Sequence, residues 1–148
     1  MPQLSMHTPV GDLTVSEDDG HIVAIDWGWG RDQLATPLLE RAREQIEAYF
    51  DGGLRQFDLP LAPCGTTFQR QVWQQMCAIP FGGTLTYGEI AQNIGGSARS
   101  VGTACGANPI PVVIPCHRVL AANGLGGYSG DGGVETKVAL LRLEGALL

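Results

Sequence analysis

The chain has no run of about 18 consecutive apolar residues, the length that a membrane-spanning helix requires. This absence excludes a transmembrane protein. The first residues, Met1–His7, also lack the basic segment followed by an apolar run that marks a secretory signal. We therefore expect a cytoplasmic protein that makes no contact with a membrane.

Metal-binding patterns are missing as well. The four cysteines form no C-x-x-C pair, and the three histidines form no H-x(3–5)-H group. Without a secretion signal, a disulfide framework is not expected either. We expect no metal and no other cofactor. Each cysteine is then either a small buried apolar side chain or a reactive thiol.

Positive charge is scarce, and the formal net charge is −6. A net acidic protein is at first a poor candidate for binding nucleic acid. The acidity is uneven, because residues 1–58 hold eleven Asp/Glu against four Arg, whereas residues 59–148 hold four Asp/Glu against five Lys/Arg. The second part can therefore approach a phosphate backbone without strong repulsion. We predict two domains, 1–58 and 59–148.

Residues 1–58 have the pattern of a small α+β domain. Short apolar runs alternate with turn signals such as Thr8–Gly11 and Asp18–Gly20, which is typical of antiparallel hairpins. Thr36 and Pro37 then predict the start of a helix, and Gly52-Gly53 predicts its end.

Residues 59–148 have a helical pattern. Thr86-Tyr87-Gly88-Glu89 is a capping box, in which the threonine and the glutamate satisfy each other's free amides. Gly95-Gly96 ends that short helix, and Ser97 begins another that runs to Gly106. Two short helices around a tight turn are typical of a helix-turn-helix motif. The small residues of the second helix permit close approach either to DNA or to another helix, and the pattern leaves both open.

Cys116 follows a proline-rich apolar segment and precedes His117-Arg118. Two neighbouring cations stabilise a thiolate, which is the nucleophilic form of cysteine. The alternative is a buried structural cysteine beside an unrelated His-Arg pair, and for an arbitrary triplet of this kind that alternative is favoured. Adjacent residues of an extended chain also point to opposite faces, so His117 need not touch Cys116.

The glycine-rich stretch Gly124–Gly133 lacks the G-x-x-x-x-G-K-[ST] pattern, so a nucleoside triphosphate site is not expected. A loop that shapes a pocket for a planar group beside Tyr128 fits better. A final helix is predicted over Val134–Gly145. Glu144 lies near its C-terminal end, where a carboxylate opposes the helix dipole, and is therefore expected to have a partner.

The segment I-P-C-H-R-V at 114–119 resembles the active-site signature of the O6-alkylguanine-DNA alkyltransferases, or methylated-DNA–protein-cysteine methyltransferases. Further similar blocks occur in the family's order: T-Y-G-E-I-A at 86–91, A-R-S-V-G at 98–102, G-A-N-P at 106–109, G-Y-S-G at 127–130 and L-L-R-L-E-G at 140–145. The resemblance is strong over residues 57–148 and looser over 1–56.

This resemblance implies an α+β fold, with a small N-terminal antiparallel-sheet domain of the ribonuclease H type and a C-terminal winged helix-turn-helix domain that carries the active site. It implies DNA repair by direct reversal, in which Cys116 irreversibly accepts the alkyl group of a flipped O6-alkylguanine, and also of O4-alkylthymine. The implied partner is double-stranded DNA that contains the lesion. A monomer is expected to bind, and several monomers can line up along the DNA.

The family's catalytic roles map onto five residues of the chain. Cys116 accepts the alkyl group, His117 takes the thiol proton through a water, and Glu144 orients His117. Tyr87 either donates a proton to guanine N3 or crowds the phosphate so that the nucleotide rotates. Asn108 braces the turn behind the second helix and ties it to the active-site segment.

DNA and substrate contacts are implied in the same way. Arg99 replaces the extruded base in the stack. The other implied DNA contacts are Tyr87, Ser97, Gly102, Ala104 and Arg118. The implied pocket residues are Pro111, Val119, Tyr128 and Ser129.

Two residues depart from the expected pattern: Asp131 adds a negative charge to the pocket loop, and Cys105 places a second thiol on the recognition helix. The main alternative function is a non-enzymatic, alkyltransferase-like lesion-binding module, but such proteins lack the acceptor cysteine. A regulator that signals through a methylated cysteine needs an additional DNA-binding domain. A cysteine peptidase needs an oxyanion hole, which nothing in the sequence suggests.

Overall fold

Three short strands begin the chain. In the computed structural model, which describes residues 1–148, β1 (Gln3–Met6), β2 (Leu13–Asp18) and β3 (His21–Trp27) form an antiparallel sheet in the order β1-β2-β3. The turns between them contain Gly11 and Gly20 at φ 116° and 77°, values that glycine adopts without steric strain. The predicted hairpins are therefore present.

Helix α1 (Pro37–Phe50) packs against β1 and β2. It begins where the sequence predicts, because the Thr36 side chain accepts a hydrogen bond from Leu39 N at 3.1 Å and proline occupies the first turn. Its apolar residues Leu39, Ala42, Ile46 and Tyr49 are completely buried. Burial of this face supplies most of the stability of such a helix.

The sheet also buries polar side chains. Ser5 Oγ lies 2.7 Å from Thr14 Oγ1, and it accepts hydrogen bonds from Gly30 N at 2.9 Å and Gln33 Nε2 at 2.8 Å. These bonds offset the cost of removing the hydroxyl groups from water.

The chain divides into two compact units, Met1–Cys64 and Gly65–Leu148. Residues 59–64, which the sequence prediction assigned to the second domain, lie in the first unit. They do so because they hydrogen-bond to β3: Ile22 N donates to Pro60 O at 2.8 Å, and Ala62 N donates to Ile22 O at 2.9 Å.

The second unit is mainly helical. Its elements are α2 (Thr67–Cys77), β4 (Leu85–Thr86), α3 (Tyr87–Ile94), α4 (Ala98–Gly106), a 3₁₀ turn (Cys116–Arg118), β5 (Val119–Leu120) and α5 (Val134–Leu143). Helices α2, α3 and α4 pack on one another, and β4 pairs with β5 in parallel. None of the five α-helices combines the length and the hydropathy needed to cross a bilayer.

Three of these helices begin with a reciprocal capping box, in which each side chain of a pair bonds the backbone amide of the other. In each box the cap oxygen accepts an amide hydrogen bond at 3.0–3.1 Å. The pairs are Thr66 with Gln69, Thr86 with Glu89 and Ser97 with Ser100. A cap contributes about 1 kcal/mol, which matters for helices too short to be stable alone.

The helix-turn-helix motif comprises α3 and α4, joined through Gly95 and Gly96 at φ 81° and 117°. Trp73 fixes α4 against α2, because its Nε1 donates to Ala104 O at 2.9 Å in a buried contact. Ala104, which the resemblance placed at the DNA, is only 2% exposed. At this position the small residue serves helix packing, so a DNA contact by the Ala104 side chain is not supported.

Candidate active site

The segment that leads to Cys116 is buried at every residue from Ile110 to Val119. Asn108 holds its turn: Nδ2 donates to Ile114 O at 2.8 Å, and Oδ1 accepts from Ile110 N at 2.9 Å. Val112 lies at φ 71°, a conformation that a β-branched residue rarely adopts. The Asn108 hydrogen bonds therefore stabilise a turn that the local sequence disfavours.

Cys116 is 7% exposed and lines a cavity of about 520 Å³. The other walls come from α3, from α4 and from the glycine-rich loop. They are formed by Tyr87, Ala98, Gly102, Cys105, Gly106, Gly127, Tyr128 and Ser129. A cavity of a few hundred Å³ is large enough to hold a small planar molecule.

The resting form of Cys116 is the protonated thiol. Burial raises the pKa of this thiol, while the hydrogen bond from the Asn108 side chain and the charge of Lys137 act in the opposite direction. Because only the thiolate is a strong nucleophile, the thiol needs a base to remove its proton.

His117 has the properties of that base. Its Nε2 lies 2.7 Å from Glu144 Oε2, and both side chains are completely buried. Burial lowers the pKa of His117, and the hydrogen bond and charge of Glu144 oppose this shift. The buried Nδ1 has no hydrogen-bond partner in the protein. A neutral imidazole that donates from Nε2 to Glu144 has its Nδ1 lone pair available to accept a proton.

Glu144 is held in turn by Arg118. The guanidinium donates from Nε to Oε1 at 2.8 Å and from Nη2 to Oε2 at 2.9 Å, and Nη1 donates to Ile79 O at 2.7 Å. Arg118 is 7% exposed. The sequence prediction of a DNA contact by Arg118 is therefore corrected: the 3₁₀ turn directs this side chain inward, where its donors are occupied by Glu144 and a carbonyl oxygen. Glu144 thus has the expected partner, and it has two of them, His117 and Arg118.

Unlike Arg118, the remaining predicted DNA contacts at the start of α4 and along it are exposed or line the cavity. Ser97 and Arg99 are exposed at the start of the helix, and the Arg99 guanidinium has no hydrogen bond or ion pair within the protein. Gly102 and Gly106 line the cavity, four residues apart on one face of the helix. Tyr87 is half-buried opposite them, with ring atoms 4.0 Å from the position of a Cβ on Gly102.

The predicted pocket residues divide into two pairs. Tyr128 and Ser129 line the cavity. Pro111 and Val119 are buried in the packed segment around Cys116 and are not among the residues that line the cavity. Their contact with the substrate stays a prediction.

Lys137 is a buried charged residue that the sequence motifs do not indicate. Its Nζ donates to Val119 O at 2.7 Å and to Gly127 O at 3.0 Å. Its position in the helical repeat does indicate burial. The i, i+3, i+4, i+7 pattern of one buried helix face is followed by Lys137, Leu140, Leu141 and Glu144. A lysine within an apolar stripe indicates a buried cation with partners.

The two residues flagged as departures are placed as follows. Cys105 faces the cavity, and its Sγ lies 3.6 Å from Met76 Sδ. Burial raises the pKa of Cys105 to about 12, so this thiol is protonated at rest, as Cys116 is. Asp131 is exposed. No three His, Cys, Asp or Glu side chains cluster so as to hold a metal ion.

A cysteine backed by a buried His–Glu pair, facing a cavity beside a helix-turn-helix motif, defines the class of DNA-binding proteins that react through a cysteine. Residues 4–63 match the family model for the ribonuclease-like domain of 6-O-methylguanine DNA methyltransferase, and residues 67–146 match that for its DNA-binding domain. The chain belongs to the 6-O-methylguanine DNA methyltransferase family.

Individual relatives agree with this membership. The chain is 50% identical over 153 residues to the methylated-DNA–protein-cysteine methyltransferase of Mycobacterium leprae, covering 95% of this chain and 90% of the relative. The protein of that name from Methanosarcina acetivorans is 41% identical over 150 residues, covering 94% of this chain and 95% of the relative.

Solved structures are also similar. The O6-methylguanine methyltransferase of Mycobacterium tuberculosis superposes with a TM-score of 0.87 at 37% identity, over 99% of this chain and 94% of that one. The same protein in complex with DNA gives 0.87 at 39% identity, over 97% and 92%. The predicted fold class is thus confirmed, including the ribonuclease-like N-terminal domain and the DNA-binding C-terminal domain.

Proposed function

We propose that the chain repairs double-stranded DNA by moving the alkyl group of O6-alkylguanine onto its own Cys116. The observation that carries this proposal is the position of Cys116, which faces a cavity walled by the helix-turn-helix motif and precedes the buried His117–Glu144 pair. The names of the relatives, and the crystallised complex of one of them with DNA, support the same reaction.

The proton movements follow from the two environments. Neutral His117 takes the Cys116 proton through a water at Nδ1, and Glu144 stabilises the imidazolium that forms. Tyr87 lines the cavity, and burial raises the pKa of its hydroxyl, which is therefore protonated at neutral pH. Its position in the cavity wall supports the proposal that Tyr87 donates a proton to the departing guanine.

The bonds change at one carbon atom. The Cys116 sulfur attacks the alkyl carbon, a carbon–sulfur bond forms, and the bond between that carbon and O6 breaks. The electron pair of the broken bond remains on guanine, which takes one proton. The product is a thioether that nothing in the site cleaves, so each molecule reacts once. O4-alkylthymine presents the same alkyl–oxygen bond and is proposed as a second substrate.

The base must leave the duplex to reach the cavity. Extrusion costs a few kcal/mol and is easiest for a damaged, weakly paired base. Arg99 is proposed to enter the stack in its place, because it is exposed at the start of α4 and its guanidinium has no hydrogen bond or ion pair within the protein. Asn108 is proposed to connect this helix to the Cys116 segment, and Ser97 and Gly102 to meet the DNA. One monomer acts at each lesion, and several can bind along the DNA.

Mass spectrometry tests the proposal. The purified protein is incubated with O6-benzylguanine as the free base and, separately, with a duplex containing O6-methylguanine. We expect one benzyl or one methyl group per molecule, located on Cys116 by peptide mapping, and no further addition with time.

The Cys116→Ser variant is the control and is expected to gain no mass. An adduct on Cys64, Cys77 or Cys105, or an adduct that persists in the variant, contradicts the proposal. Tight binding of the lesion duplex without any transfer favours the lesion-binding alternative instead.

A further inference from the structure

Helix α5 and its C-cap residue place two charged side chains on one buried face. Glu144 has its partners in Arg118 and His117, as described above. Lys137, two turns earlier, is 0% exposed and has no carboxylate partner. Burying an ammonium group is costly unless hydrogen bonds and nearby charge compensate it. The groups around the ammonium therefore indicate the role of the charge of Lys137.

The Lys137 ammonium lies next to three segments that surround the cavity. It donates to Val119 O, directly after the Cys116 turn, and to Gly127 O, directly before Tyr128 and Ser129. It also lies 5.8 Å from the centroid of the Tyr87 ring on α3. Cation–π contacts at this range are attractive. One side chain thus joins the reactive segment, the pocket loop and α3.

The electrostatic surroundings of Lys137 are unusual. The titratable groups that interact with it are the thiols of Cys116 and Cys105, the imidazole of His117 and the hydroxyl of Tyr87, all neutral at rest. The carboxylate of Glu144 is already bound by Arg118 and His117. Burial lowers the pKa of Lys137, and negative charge on Cys116 would raise it. A thiolate at Cys116 is therefore the charge that best compensates the ammonium.

We propose that Lys137 is a positioning residue with two tasks in the same site. Its two hydrogen bonds hold Gly127–Ser129 against the reactive segment and so shape the pocket, and its positive charge favours the Cys116 thiolate. The first task rests on the proposed function, because the pocket matters only for a substrate that enters it. The second task concerns the thiol alone.

Two electrophiles separate these tasks. Iodoacetamide is small and reports the thiolate fraction of Cys116 without needing a shaped pocket, whereas O6-benzylguanine needs both. Rates at Cys116 are measured by peptide mapping from pH 6 to 10 in the wild type, Lys137→Met and Lys137→Arg, with circular dichroism as a check of folding. The exposed thiols of Cys64 and Cys77 serve as internal references for iodoacetamide.

We expect Lys137→Met to move the pH midpoint for iodoacetamide at Cys116 upward by about one unit, which lowers the rate about tenfold below the midpoint. Its rate with O6-benzylguanine falls further, by about 100-fold, because the loop is also released. Lys137→Arg keeps the charge and the wild-type midpoint, but its larger head displaces the loop and lowers the O6-benzylguanine rate. Arg142→Met, which removes an exposed charge from the same helix, leaves both profiles unchanged.

An unchanged midpoint in folded Lys137→Met overturns the electrostatic task. Equal losses with both electrophiles overturn the pocket task. If Lys137→Met does not fold, the arginine variant decides: a shifted midpoint contradicts the charge argument, and a wild-type O6-benzylguanine rate contradicts the loop argument. If the wild-type protein takes no benzyl group, the proposed function fails, while the iodoacetamide profiles still test Lys137.

Discussion

Replacing Glu144 by glutamine is expected to slow alkyl transfer at least about 100-fold and to destabilise the protein by about 3–5 kcal/mol. The loss of stability follows from the contacts of the carboxylate. The carboxylate accepts hydrogen bonds from His117 and Arg118, and all three side chains are buried. A neutral amide leaves the guanidinium without a compensating charge, and breaking a buried ion pair is far more costly than losing an exposed one.

The loss of rate has a separate cause. Glutamine stabilises a positive imidazolium less than a carboxylate does, so His117 becomes a weaker base for the Cys116 proton. Second-order rates with O6-benzylguanine are measured at a temperature where circular dichroism shows the variant folded, and stability is measured by urea unfolding.

The matched control is Glu135→Gln, which removes an exposed carboxylate from the first turn of the same helix. It is expected to keep the wild-type rate and to change stability little. If Glu144→Gln reacts at the wild-type rate while folded, the relay through His117 is wrong. If its stability is unchanged, the buried ion pair does not stabilise the fold as argued.

Substituting alanine for Arg99 is expected to slow repair of an O6-methylguanine duplex about 10- to 100-fold and to leave the reaction with free O6-benzylguanine unchanged. The reason is that Arg99 is proposed to fill the gap in the duplex, and the free base leaves no gap. A few kcal/mol of extrusion energy correspond to this range of rates. The rates are measured by mass spectrometry on both substrates under the same conditions.

Arg70→Ala is a suitable control, because it removes an equal, exposed charge from α2 of the same unit. It is expected to affect both reactions little. Equal losses of Arg99→Ala on duplex and free base contradict the intercalation proposal and place Arg99 in the chemistry or the fold. If both variants lose the same amount of repair rate on duplex DNA and none on the free base, the effect is due to general attraction between positive side chains and the phosphate backbone.

The starts of α1, α3 and α4 were predictable because each is specified within a few residues. Thr36, Thr86 and Ser97 all cap the helices that follow them. The end of α5 was predicted two residues late, at Gly145, whereas the helix ends at Leu143 and Glu144 caps it. Gly145 adopts a φ of 78°, which is outside the helix.

The site was only partly predictable, for a different reason. The ordered sequence blocks located Cys116, His117 and Glu144, but no local pattern tells which way a side chain leaves a 3₁₀ turn. Arg118 was therefore assigned to DNA although it is bound to Glu144. Lys137 was overlooked because its partners are carbonyl groups distant in sequence, which leave no mark on residue identity.

The cavity contains two thiols, and burial keeps both of them protonated at rest. Only Cys116 directly precedes the buried base His117, so Cys105 is not expected to replace it as the acceptor after Cys116 has become a thioether. The transferred group also remains in the space that the next base would occupy. Protection of a genome by this protein is therefore set by copy number: each molecule cancels one lesion, and capacity is restored only by synthesis of new chains.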